Sequence, residues 1–423
     1  MYRTMRHMIY GMLMCFMWLL VQPLAHAQNS VSLHKGVNVF PWLYRARSVD
    51  GKDQVYLLDH SFPYAGEYTH EKLVQLKTMG FDFVRIPVEP NPFLTVDASQ
   101  RGRLINQILE AYGLANEAGL TTIIDFHPRE AVPHWHAATI LTSGDDWKLY
   151  RSVLIEVASA LIKESRGHVL LELMNEPPTG WKQSDGDLWE ETQKDYVKAI
   201  RRVAPNLPLI VTGDRGGGID GLMRLDPEKI DDQHVFYSFH YYDPMVITHQ
   251  GATWTTKEYR KFLSDIQYPP AAQGEKDTLL RIQTNIFSII SDHNQANAIW
   301  SEAEPQIRQY FETRQGKVQI DADFDRVRDW AKSHKIPASR ILLGEFGIFR
   351  PGASEETTVN YLRDIRTAAE HDGFAWAFFN YEPKESLPAF SMLKFPGSIP
   401  ADFDVDITVR ALGLSLPSAE VVH

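Results

Sequence analysis

The sequence predicts a (β/α)8 barrel with a long insertion after its sixth strand. Three observations predict it. Short apolar runs alternate with helical patterns from about residue 35 onward, the sign of repeated βα units. Several runs, such as Thr122-Ile123-Ile124, are apolar without alternation, as strands buried on both faces must be. The alternation is strict and yields eight strands, which favours a closed ring over an open doubly wound sheet.

In chain order the expected strands are Lys35–Phe40, Phe81–Pro87, Leu120–His127, His168–Asn175, Leu207–Gly213, Val235–Tyr242, Ile341–Phe346 and Gly373–Tyr381. Helical stretches fall near 70–79, 102–118, 145–165, 189–203, 218–225, 321–334 and 355–371, with a last one near 402–413. The segment from Asp243 to about Ile320 is far longer than an ordinary connection. It carries Trp254, Pro269-Pro270 and a helix expected from Asp277 to Ala298. Leu279, Leu280, Ile282, Ile286, Ile289 and Ile290 of that helix approximate an i, i+3, i+4 stripe. Because the segment leaves the C-terminal end of strand six, it starts at the rim where such barrels keep their active sites. It either packs on the barrel as decoration or shapes a cleft.

Residues 1–27 read differently from the rest. Arg3, Arg6 and His7 precede an apolar run from about Met8 to Leu20, and Ala25-His26-Ala27 offers a cleavage site. A cleaved export leader is expected, with 28–423 as a single domain and the insertion at about 243–320. Cys15 is the only cysteine, so removal of the leader leaves no disulfide, thiol nucleophile or thiolate metal site. That suits a bacterial protein, periplasmic or secreted, whose core needs no staples. No later stretch is apolar enough to span a bilayer. The full chain carries a net charge of −11, and the leader takes only positive charge away with it, which argues against nucleic acid as a partner. There is no internal repeat or interdomain linker, and a monomer is expected. The 10 Trp and 17 Tyr suit stacking on sugar rings as well as core packing.

Active sites of such barrels form at the C-terminal strand ends, so what each strand delivers there matters. Strand two delivers Arg85, strand three His127, and strand four Asn175-Glu176-Pro177. Strand six delivers His240 and Tyr242, strand seven Glu345, and strand eight Trp376. Strands four and seven face each other across the mouth, so Glu176 and Glu345 can oppose one another. Two opposed carboxyl groups suit glycosidic cleavage with retention, in which one protonates the leaving oxygen and the other attacks the anomeric carbon. Mutual repulsion would raise the pKa of one, and Arg85 would keep the other ionised. Glu172, two alternation steps below Glu176, reads as a buried partner.

The segments Gly36-Val37-Asn38, Phe83-Val84-Arg85-Ile86-Pro87, Glu172-Leu173-Met174-Asn175-Glu176-Pro177, Phe239-His240-Tyr241-Tyr242 and Gly344-Glu345-Phe346-Gly347 resemble glycoside hydrolase family 5. That is the cellulase-type family of the 4/7 barrel clan, and its motifs occur here in family order from Gly36 to about Tyr381. The resemblance implies Glu176 as acid/base and Glu345 as nucleophile. Asn175 would bond the 2-hydroxyl of the reacting sugar, while Arg85 and Tyr242 would orient Glu345. His127 would bind that sugar, His240 would sit beside the acid/base, and Trp376 would form the platform under the ring. No metal or organic cofactor is implied. Pro128-Arg129-Glu130 and the strand-six insertion depart from the family pattern and bear on the substrate more than on the reaction.

Other motifs compete less well. His134-Trp135-His136 has spacing for two metal ligands, but a polar cleft loop is the plainer reading. Asp321, Asp323 and Asp325 lack the glycine and closing glutamate of a calcium loop, so a helix start is expected there. Gly213-Asp214-Arg215-Gly216-Gly217-Gly218 lacks a P-loop lysine and reads as a flexible βα turn. Trp42, Trp135, Trp181 and Trp254 fall on rim loops, where some would stack on sugar and others anchor the loops. The expected activity is that of an endo-β-1,4-glucanase. β-Mannan, β-1,3-glucan or the bacterium's own exopolysaccharide remain open as substrates, as does transglycosylation, and a catalytically silent polysaccharide-binding protein is the non-enzymatic rival.

Overall fold

The computed structural model describes residues 31–49, 55–57, 61–129, 135–142, 144–164, 168–180, 182, 187–271, 273–381, 390, 392 and 405–416. The leader expected over 1–27, with Glu130, His134 and Trp181, lies outside them. Eight parallel strands close a barrel in sequence order: β1 Lys35–Asn38, β2 Phe83–Val88, β3 Thr121–Phe126, β4 Val169–Glu172, β5 Leu209–Thr212, β6 Val235–His240, β7 Ile341–Phe346 and β8 Ala375–Phe378. β1 pairs with both β2 and β8, which seals the ring. The strands are shorter than their apolar runs, because the runs continue into the mouth loops where backbone pairing persists. His127 N–H donates to the Val88 carbonyl (2.8 Å), Asn175 N–H to Phe126 (2.8 Å) and Tyr241 N–H to Glu345 (3.0 Å).

The outer layer is helical. α1 His70–Met79, α2 Ala98–Glu117, α3 Asp146–Leu161, α4 Leu188–Arg201 and α5 Ile219–Leu222 follow the first five strands. Each long helix turns an apolar stripe inward: Leu104, Ile105, Ile108, Ala111, Tyr112 and Ala115 of α2 are all buried. The Asp97 side chain caps α2 by accepting from the Gln100 N–H at 3.0 Å, a contact worth about 1 kcal/mol. Gly373 closes α9, Glu355–Asp372, with φ +74, a left-handed turn that glycine adopts without strain, and the chain drops directly into β8.

Two expectations about the insertion need correction. Where one long helix is expected there are two, α6 Gly274–Ile289 and α7 His293–Glu312. The stripe breaks because Ile290 is extended (ψ 107) and Asp292 caps a new helix, accepting from Asn294 N–H at 2.8 Å and Gln295 N–H at 3.1 Å. Leu279, Ile282 and Ile286 are buried, whereas Leu280 and Ile289 stay in solvent. Asp321, Asp323 and Asp325 lie inside α8, Lys317–Ser333, four residues past its start. Asp321 pairs with Lys317 one turn before it, and Asp323 accepts from the Tyr241 hydroxyl at 2.8 Å. A final helix, α10 Val405–Ala411, packs beside α9. Among the described residues no helix is long and apolar enough to cross a membrane.

Candidate active site

Arg85 organises the mouth. It rises from β2 into the barrel and is fully buried. Its Nε and Nη2 donate to the two Glu172 oxygens at 2.7 and 2.9 Å, a bidentate pair, as the sequence suggests for a buried partner. Nη1 donates to Asn38 Oδ1 (2.8 Å) and to Glu345 Oε1 (2.7 Å). Nη2 also donates to Asn175 Oδ1 (2.9 Å) and lies 3.0 Å from Asp125 Oδ2. Burial alone would favour loss of its proton, but Asp125, Glu172 and Glu345 outweigh that and hold the guanidinium charged.

Glu345 is the penultimate residue of β7 and is buried. Besides Arg85 on Oε1, it receives the Tyr242 hydroxyl on Oε2 at 3.0 Å. Its backbone carbonyl accepts from Tyr241 N–H, one residue past the neighbouring β6. Glu176 differs in every respect. Its side chain is 42% exposed to the cleft, and its backbone has φ +42, a left-handed conformation that costs a residue with a side chain of order 1 kcal/mol. His240 Nδ1 lies 2.8 Å from Glu176 Oε1 and 3.7 Å from Glu345 Oε2, so it stands between the two carboxyl groups. One oxygen of each glutamate and a His240 nitrogen all fall within 4.8 Å of one another. That spacing suits direct attack on an anomeric carbon, because an intervening water would need roughly 6.5–9.5 Å between the carboxyl groups.

The pKa of Glu176 is raised, first by desolvation in the mouth, with Glu172 adding to it and His127 and Arg85 opposing. Desolvation therefore leads, ahead of the carboxylate repulsion the sequence suggests. Burial pushes both His127 and His240 down to about 4, so both are neutral at pH 7. Asp125 goes the other way, to about 7, again by desolvation, with Arg85 opposing and Glu176 adding.

Arg85, His127, Asn175, Glu176, His240, Tyr242 and Glu345 thus converge on one mouth. Trp376 does not. It sits level with Lys35 of β1 and Leu343 of β7, fully buried in the helix layer against Phe81 (6.3 Å) and Phe346 (5.8 Å). Its Nε1 points to Glu370 of α9 at 3.4 Å, so no sugar can reach its ring. The residue that follows β8 at the mouth is Phe379, with Phe40 at 5.4 Å and Phe390 at 6.1 Å. Phe40 and Tyr44 continue this wall to His127, whose ring the Tyr44 ring meets edge-on at 5.2 Å.

The loop Gly213–Gly218 is not a loose turn. Gly216 N–H donates to the Pro177 carbonyl and Gly217 accepts from His240 N–H, both at 2.9 Å, so the loop walls Glu176. Arg215, Gly216 and Gly217 all have positive φ, which explains the glycine run. Trp42 is buried and stacked on Tyr68 at 4.9 Å, and Trp135 is buried, so both are loop anchors. Trp254 stays 44% exposed. Phe349 and Phe390 hold it edge-on at 4.7 and 5.9 Å, and Phe390 also touches Tyr242 at 5.7 Å. An aromatic path therefore leads from the Glu345 partner out to the insertion. His136 bonds the Thr139 hydroxyl at 2.7 Å within its own loop. Among the described residues, Glu176, His240 and Glu345 are also the only trio spaced to ligate a metal, and all three are already engaged with one another or with Arg85 and Tyr242.

A (β/α)8 barrel with two opposed carboxyl groups, one clamped by arginine and tyrosine and one partly exposed, is the working centre of a glycoside hydrolase. The sequence model of the cellulase family, glycosyl hydrolase family 5, matches residues 50–385, and the chain belongs to that family. Retention of anomeric configuration is standard there. The chain is 25% identical to endoglucanase C of Acetivibrio thermocellus over 58% of its own length and 67% of that protein. It is 23% identical to endoglucanase 3 of Fibrobacter succinogenes over 82% of its own length, and spans about half (49%) of that longer protein. Cellodextrinase A of Ruminococcus flavefaciens is 26% identical over 54% of this chain and 63% of that one. In fold it is similar to the endoglucanase Cel5A of Thermotoga maritima (TM-score 0.62, 17% identity, 90% of this chain and 96% of that one). It is also similar to the cellulose synthase subunit Z of Clostridioides difficile (TM-score 0.60, 20% identity, 90% and 99%).

Proposed function

We propose that this protein is an endo-acting β-1,4-glucanase in which Glu176 is the acid/base and Glu345 the nucleophile. The observation that carries the reading is the contrast between the two carboxyl groups. Glu345 is buried and fixed by Arg85 and Tyr242, while Glu176 is exposed to the cleft with a raised pKa, and oxygens of the two lie within 4.8 Å. Glu176 then gives its proton to the leaving oxygen as Glu345 attacks the anomeric carbon. Water, deprotonated by Glu176, displaces Glu345 from the resulting glycosyl-enzyme. Asn175 bonds the 2-hydroxyl of the reacting sugar, His127 binds the same ring, and Phe379 and Phe40 form its apolar wall in place of Trp376. The glucan assignment rests on the relatives, which include endoglucanases. The basic start, apolar run and Ala25-His26-Ala27 support a cleaved export leader and a periplasmic or secreted enzyme with one catalytic domain.

The test is hydrolysis of cello-oligosaccharides followed by proton NMR from the first seconds. The β-anomer should appear first and mutarotate later. First release of the α-anomer would mean inversion and would remove Glu345 from its role.

Trp254 at the end of the aromatic path supports a distal sugar site contributed by the insertion. Trp254→Ala should weaken binding and hydrolysis of long cello-oligosaccharides by about 1–3 kcal/mol, the worth of a lost aromatic face. A small aryl glycoside, which fills only the central sites, should be cleaved almost as by the native enzyme, with an unchanged Tm. Equal losses on long and short substrates would make Trp254 a packing residue.

A further inference from the structure

Asp125 takes no part in the reaction proposed above, yet it is buried between two residues that do. We propose that Asp125 is a positioning residue that closes a ring of hydrogen bonds and one ion pair with Arg85, Asn175 and His127, supporting the His127 tautomer that faces the Asn175 amide at the 2-hydroxyl. The proposal rests on the reading of this mouth as the reacting-sugar site.

The direction of every bond in the ring follows from one group. A guanidinium only donates, so the Asn175 atom 2.9 Å from Arg85 Nη2 must be Oδ1. That turns the Asn175 NH2 toward His127 Nε2, 3.2 Å away. An amide NH2 only donates, so Nε2 must accept and the imidazole proton must sit on Nδ1. Nδ1 is 2.8 Å from Asp125 Oδ2, which accepts it. The same oxygen lies 3.0 Å from Arg85 Nη2, an ion pair that completes the circuit. The burial that holds His127 near a pKa of 4 keeps the imidazole neutral, as this arrangement requires.

The consequence falls on Asn175. One hydrogen of its NH2 goes to His127, which leaves the other for the 2-hydroxyl. Without an acceptor at position 125, the buried Nδ1–H loses its partner, and the tautomer with the proton on Nε2 becomes accessible. That proton would face the Asn175 NH2, two donors in opposition, and the amide would turn away from the sugar.

The decisive experiment compares two substrates and two variants. The substrates are dinitrophenyl β-cellobioside and its analogue lacking the 2-hydroxyl on the reacting sugar. Asp125→Ala should lower kcat/KM on the first by about 10- to 100-fold, mainly in kcat, and change the second by less than about threefold. Asp125→Asn keeps an oxygen that Arg85 turns toward itself and His127, so it should restore most of the loss. Equal losses on both substrates, no loss on either, or an asparagine variant as poor as the alanine one would each overturn the proposal. If Asp125→Ala fails to fold, nitrogen NMR of labelled histidine in the native enzyme decides. His127 should carry its proton on Nδ1, and a proton on Nε2 refutes the ring. If the native enzyme does not cleave the cellobioside, the functional reading fails, and the NMR result still decides the ring by itself.

Discussion

Replacing Glu345 with glutamine is expected to lower turnover on every substrate by on the order of 10⁴- to 10⁶-fold, the scale on which loss of a nucleophile is felt. Glutamine keeps the volume, its amide oxygen can still accept from Arg85 Nη1, and its NH2 can donate to the Tyr242 hydroxyl oxygen, so the fold should stand. What disappears is the charge that attacks carbon. An improved leaving group cannot repair this, because the bond to the enzyme never forms. Fluorescence-detected hydrolysis of an aryl cellobioside, with Tm as the folding control, reads the result. Residual activity above a thousandth of native, free of contaminating native enzyme, would show that another group attacks. The variant also relieves an imbalance, since Arg85 faces three carboxylates in Asp125, Glu172 and Glu345. Its Tm should therefore equal or exceed that of the native chain.

The second large effect depends on the substrate. Glu176→Gln should cost about 10²- to 10⁴-fold on cello-oligosaccharides, whose alkoxide leaving groups need a proton. On dinitrophenyl cellobioside the formation of the glycosyl-enzyme should be nearly native, because dinitrophenolate leaves unaided. A burst of released phenolate should precede a slow steady state, since water now lacks its base. The pH profile carries the same signature. The raised pKa of Glu176 keeps it protonated to higher pH than an ordinary glutamate, and activity on natural substrates should fall as pH rises through that value. The alkaline fall should be missing from the burst rate with dinitrophenyl cellobioside. A variant equally poor on both leaving groups would strip Glu176 of the acid role.

The ring of strands was legible because parallel strands buried on both faces leave continuous apolar runs between helical patterns. The same property hid the phase of strand eight. In Phe374-Ala375-Trp376-Ala377-Phe378-Phe379 both faces are apolar, so nothing in the run says which residues look into the mouth and which toward the helices. Trp376, which the family resemblance places under the sugar, lies in the helix layer. Strand three shows the opposite case. Asp125 shares a face with His127 by simple alternation and is charged, so the sequence contained the signal for it. The insertion's helix break was also signalled, by Asp292 as an N-cap, but the apolar stripe runs past it. The packing of Gly216 and Gly217 against residues 176–177 joins two loops distant in sequence, and no local pattern announces it.

The bonds of Arg85 have a consequence for how the molecule can be divided. Asn38, Asp125, Glu172 and Asn175, four of the five side chains that hold it, come from the first four βα units. Only Glu345 comes from the second four. A chain cut between β4 and β5 would give one fragment that pairs its own Arg85 with Asp125 and Glu172, and another that carries Glu345 and Tyr242 without Arg85. Each half is thus chemically self-consistent only in part. The electrostatic setting of Glu345, the proposed nucleophile, belongs to the assembled circle and to neither half alone.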